Sequence, residues 1–137
     1  MTKDGGSSPI EAHEMLARFI LFGGWFRKSN QTAKPDAFMP PPNLRLSVTR
    51  HLGLPEAEIW TIGEDVTRTR PAATLYGRAD IETAQVRDVS LAVQPSPAPG
   101  NPNHADIVDW PNDKPSQKSV AQELAARARF VPAIARD

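Results

Sequence analysis

Most of the chain's fourteen prolines fall in three clusters, from Pro35 to Pro42, from Pro95 to Pro102 and from Pro111 to Pro115, and these clusters decide where regular structure can run. Proline removes a backbone donor and pushes the preceding residue toward extended geometry, so each cluster reads as a loop or rigid connector. The intervening stretches are long beside the clusters, which predicts intradomain loops in a single domain over residues 1–137, with a flexible N-terminus at residues 1–8 and a Pro-rich loop at 95–103. A chain of 137 residues is long enough to bury a core without staples, and it has no cysteine, which excludes disulfides, thiolate metal sites and a cysteine nucleophile. Sixteen basic residues balance sixteen acidic ones, so no long-range field draws the chain to nucleic acid or an anionic membrane. The first residues lack an apolar signal core and the longest apolar run is too short to span a bilayer, which predicts a cytoplasmic protein without a membrane partner.

Three helices are expected between the breaks. The first opens at Ser8-Pro9-Ile10-Glu11, a capping-box pattern, carries Leu16, Phe19, Ile20 and Phe22 on one face, and stops at Gly23-Gly24. The second begins at Pro55, with Glu56 and Glu58 near its positive end and Ile59, Ile62 and Val66 on one face. The third covers Ser116 to Phe130, with Val120, Leu124, Ala128 and Val131 in helical spacing. Alternation makes Leu44–Arg50 a half-buried strand, with Leu46 and Val48 on one face and Arg45, Ser47 and Thr49 on the other. Ala73–Ala79, Val89–Val93 and His104–Trp110 complete the set. The fold class is α+β: a small mixed or antiparallel sheet of about four strands with three helices, packed mainly on one face.

Chemistry concentrates in two places. His104 and Asp106 lie two apart on a strand and share a face, which suits an acid–base pair, although a histidine satisfied by local hydrogen bonds fits the same pattern. The arginines Arg50, Arg68, Arg70, Arg78 and Arg87 sit at expected element ends, where a planar guanidinium suits phosphate or carboxylate, but neighbouring acidic residues can neutralise them as surface ion pairs. Arg50 and Arg78 of this series, with the neighbouring Asp80, are candidate ligand-binding residues; Gly77 beside Arg78 permits close backbone approach. Trp110, ahead of Pro111, is a fourth, as an aromatic expected to be partly exposed. The other histidines, His13 and His51, have no metal-ligand spacing, so neither a metal nor a cofactor is expected. Phosphate-loop, dinucleotide and nucleophile-elbow signatures are absent.

The segments Lys34-Pro35, Ala37-Phe38, Pro40-Pro41-Pro42, Gly77-Arg78-Ala79-Asp80 and His104-Ala105-Asp106-Ile107-Val108 with Trp110-Pro111 resemble a family of small uncharacterised bacterial proteins. The resemblance extends over residues 16–131 and implies a single compact bacterial domain, with no established activity, cofactor or catalytic residue.

Two functional readings follow. The leading one is a noncatalytic binding or accessory domain that contacts a protein partner or an anionic ligand, with nucleic acid disfavoured by the neutral charge balance. The alternative is a small enzyme acting on a phosphate-containing or nucleic-acid substrate, with His104 as acid or base, Asp106 orienting it, and Arg50 and Arg78 holding negative charge. The second reading requires these residues to converge in one pocket. The sequence alone leaves open whether the chain is an enzyme and in what oligomeric state it works.

Overall fold

A computed structural model describes residues 5–133. The stretch expected to be the first helix is instead strand β1, Met15–Ile20, the third strand in from one edge of a six-stranded sheet. The reason lies in burial on both faces. Leu16 and Ile20 point into one core while Ala17 and Phe19 point into another, so β1 is apolar nearly throughout, and such a run satisfies helical spacing as readily as strand spacing. The Ser8-Pro9 capping signal goes unused by a helix, because Arg50 holds the carbonyls of Ser8 and Pro9.

The sheet orders its strands β6-β7-β4-β1-β5-β8, where β4 is Leu46–Arg50, β5 Gly77–Glu82, β6 Ala92–Pro95, β7 His104–Val108 and β8 Arg129–Pro132. Every neighbouring pair is antiparallel. A separate two-stranded hairpin joins β2, Phe26–Arg27, to β3, Thr32–Ala33. The main sheet thus has six strands rather than about four: β1 was expected to be helical, and β8 overlaps the expected end of the last helix. The β5 strand starts at Gly77, where a Cβ would lie 2.5 Å from the Val131 carbonyl oxygen of β8, so the glycine permits the close backbone approach expected of it.

Three helices accompany the sheet: α1, Glu56–Arg68; α2, Thr83–Arg87; and α3, Lys114–Arg127. The expected second and third helices correspond to α1 and α3. The short α2 is opened by a capping box in which Glu82 and Gln85 exchange side-chain and backbone hydrogen bonds. The helices divide between the two faces rather than sharing one. Val86 of α2 and Leu124 of α3 join the larger core with Phe38, Leu46, Ile81 and Ile107, whereas Ile59 of α1 joins the smaller core with Ala17, Phe19 and Leu21. Gly63 lets α1 approach closely, since a Cβ there would meet the Phe19 ring at 2.7 Å.

That division positions the site. Helix α1 covers the β1–β5 half of its face, and the β4–β7–β6 half carries Arg45, Ser47, Thr49, His104, Asp106 and Gln94. A trough therefore runs beside α1, walled on its far side by the Pro-rich β6–β7 connection, where Asn101 donates to the Thr49 hydroxyl at 3.1 Å and Asn103 to the Arg50 carbonyl at 3.0 Å. Of the N-terminal stretch expected to be flexible, residues 1–4 lie outside the described residues, while Gly6 and Ser8 accept hydrogen bonds from Arg50. No helix among the described residues is long and apolar enough to cross a membrane.

Candidate functional site

The residues singled out in the sequence fall into three separate polar clusters, with Trp110 apart from them in the core. Arg50 is fully buried and grips Glu14 through Nε at 2.5 Å and Nη2 at 2.9 Å, while Nη1 donates to the carbonyls of Gly6 and Ser8. It clamps the N-terminal segment onto the sheet. Arg78 and Asp80 do share a face of β5, and Nε of Arg78 donates to both Asp80 oxygens at 3.0 and 3.1 Å. Its other nitrogens reach Glu56 of α1 at 2.8 and 3.1 Å, and its guanidinium lies 4.7 Å from the Trp60 ring centroid. Burial works against the Arg78 charge, but the hydrogen bonds and charges of Glu56 and Asp80 outweigh it and hold the guanidinium above its ordinary value. The same contact with Arg78 holds the Glu56 carboxyl below the usual glutamate range. His51 closes the cluster with Nε2 3.1 Å from Asp80. Two carboxylates thus counter Arg78, which ties α1 to β5.

Trp110 is buried in the larger core and donates its indole N–H to the Ile107 carbonyl at 3.0 Å. The expected partial exposure is absent: after β7 the backbone passes through the left-handed region at Asp109, φ 71, and the Trp110 ring joins the larger core.

His104 and Asp106 share the polar face of β7, but each has its own partner. Nδ1 of His104 lies 2.9 Å from the Ser96 carbonyl, and because a carbonyl oxygen can only accept, that nitrogen carries the hydrogen. Asp106 accepts from Arg45 at 3.0 Å, and its other oxygen stands 3.9 Å from His104 Nε2. The Ser96 carbonyl therefore orients the imidazole, and Arg45 engages the carboxylate.

The groups that do converge with His104 are Arg18 and Arg70. All three line a cavity of about 240 Å³ in the trough, together with Ser47, Thr49 and Asn101. Arg18 belongs to β1 and fills a gap in the sheet: β1 and β4 are in register only at Leu16 with Arg50 and Ala17 with Thr49, and beyond that point Arg18 bridges the strands. Its Nη1 donates to the Ser47 carbonyl at 3.0 Å and its Nε to the Ala37 carbonyl at 2.7 Å. Arg70 follows the end of α1. The two guanidinia are braced by an aromatic pair, with Arg18 4.9 Å from the Trp25 centroid, Arg70 5.6 Å from that of Phe22, and the two rings edge to face at 5.0 Å.

The charge of this cavity is unbalanced. Arg45, Arg50, Arg68, Arg78 and Arg127 each hold a carboxylate, whereas Arg18 and Arg70 hold none among the described residues, and no carboxylate lines the cavity. Burial and the neighbouring Arg70 charge lower Arg18 to about 10. The folded state releases this proton before the unfolded state does, so the fold gains stability as pH rises through 10 toward the ordinary arginine value. Wild type should therefore gain about 1 kcal/mol relative to Arg18→Gln by about pH 11. Urea unfolding of both proteins across this range checks the difference, and parallel stability curves would refute it.

Sequence reasoning overlooked Arg18 because the run around it read as a helix; a lone arginine inside an eight-residue apolar stretch, Met15 to Phe22, was the available signal. Arg70 stood in the arginine series but was not singled out. Among the described residues no group of three or more metal-ligating side chains comes together. No family model, curated protein or solved structure matches this chain.

Proposed function

We propose that the chain is a noncatalytic binding domain whose cavity, lined by Arg18, Arg70 and His104, receives an anionic group. The observation that carries this reading is the pair of guanidinia on one cavity with no carboxylate partner among the described residues, in a chain whose total charge is zero. Two like charges held together, one of them desolvated, are stabilised when an anion enters, and a guanidinium fork suits phosphate or carboxylate oxygens. The cavity, at about 240 Å³, is smaller than the ~300–1,000 Å³ typical of pockets for drug-sized molecules, so it fits a compact anion or the end group of a longer ligand. The noncatalytic assignment rests on the wiring of the cluster: His104 is oriented by a carbonyl, Asp106 is engaged by Arg45, and Arg50 and Arg78 belong to other clusters.

Thermal unfolding tests this. Inorganic phosphate at saturating concentration should raise Tm by several degrees above sodium chloride of equal ionic strength, consistent with a linkage gain of about 2–3 kcal/mol at about 100 times Kd. Equal Tm in the two salts would contradict the proposal.

A further inference from the structure

The cationic cavity does not end the trough. A second cavity of about 240 Å³ follows along the same side of α1, lined by Leu54, Glu58, Ile62 and Asp65 on one side and by Gly100 and Pro102 of the β6–β7 connection on the other. The two share their walls in sequence: Asp65 precedes Val66 of the first cavity, and Asn101 of the first lies between Gly100 and Pro102 of the second. Together they make a groove with Leu54, Ile62, Val66 and Phe19 along it, cations at one end and acidic residues at the other. Asp65 pairs with Arg68, whereas Glu58 is exposed and makes no ion pair among the described residues.

This polarity selects the occupant. A nucleic acid or polyphosphate entering at Arg18 and Arg70 would carry its further charges past Asp65 and Glu58, where like charges repel. A ligand with one terminal anion, an apolar middle and a cation at the far end meets complementary charge throughout. From Glu58 to the end of α1 at Arg68 the helix advances about 15 Å at about 1.5 Å per residue, and Arg70 stands two residues farther on. An extended peptide covers that distance in about six residues. We propose that the groove binds the C-terminal segment of a protein partner, with its α-carboxylate on Arg18 and Arg70 and a lysine or arginine about five residues upstream on Glu58. This rests on the anion-binding reading above and specifies its ligand.

The probe is a pool of N-terminally labelled peptides, each about six residues long, with lysine first, alanine, leucine, valine or serine elsewhere, and a free carboxyl end, measured by fluorescence anisotropy. Free-acid peptides should bind, and their C-terminal amides should bind about tenfold or more weakly. Glu58→Lys, an exposed change whose folding is checked by circular dichroism, should weaken the lysine peptides and favour a matching pool with glutamate first. Equal binding of acids and amides, indifference to Glu58→Lys, or binding of a single-stranded oligonucleotide in place of peptides would overturn the inference. Phosphate stabilisation separates the two levels. If phosphate raises Tm and no peptide binds, the peptide assignment falls while the anion site stands; if phosphate is also without effect, both fall.

Discussion

Arg50→Met will lower the unfolding free energy by about 3–5 kcal/mol, a shift of the urea midpoint large enough to leave little stability in a domain of this size. Arg50 is fully buried, its charge is met by Glu14 at 2.5 and 2.9 Å, and Glu14 is itself only 8% exposed. Removing the guanidinium strands a buried carboxylate and leaves the carbonyls of Gly6 and Ser8 without their donor. Arg50→Met/Glu14→Leu should recover part of the loss, because no lone charge then remains, but the carbonyls stay unsatisfied. A single-variant loss below about 1 kcal/mol would show that the clamp contributes no more than an exposed ion pair.

Arg18→Gln/Arg70→Ala will weaken phosphate binding by about 100-fold. Each charged hydrogen bond to an anion contributes about 1.5–3 kcal/mol, and about 2.7 kcal/mol corresponds to two decades in Kd. Arg78→Gln serves as the contrast: its guanidinium is held by Glu56 and Asp80 outside the cavity, so that variant should lose stability while retaining phosphate affinity. Isothermal titration of the three proteins makes the comparison. If Arg78→Gln weakened binding as much as the double variant, the anion would have been assigned to the wrong cluster.

Local signals were legible wherever one element decided its own form. Pro55 and the acidic residues after it mark the start of α1, and alternation correctly paired Leu46 with Val48 and His104 with Asp106 on strand faces. The α+β class and a mixed or antiparallel sheet followed from these. What escaped depended on partners distant in sequence. β1 is a strand because sheet neighbours and two cores surround it, and its apolar run carries no strand periodicity. β8 follows α3 after a single residue, Ala128, so the helical pattern ran on into it. The arginines show the same limit. Arg50 and Arg78 are drawn into ion pairs with Glu14 and Glu56, 36 and 22 residues away, whereas Arg18 faces a cavity because β1 and β4 part beside it. Charge type was visible in the sequence; charge balance at each cluster required the fold.

Nitrogen-15 NMR of the arginine Nε–H groups during titration with sodium phosphate reads whether Arg18 and Arg70 jointly hold an anion. Saturable shifts of the Arg18 and Arg70 Nε–H signals with a common Kd are expected, accompanied by the His104 ring, while Arg50 and Arg78 stay in place. Shifts that fail to saturate, or that fall on Arg78 and leave Arg18 unmoved, would contradict it.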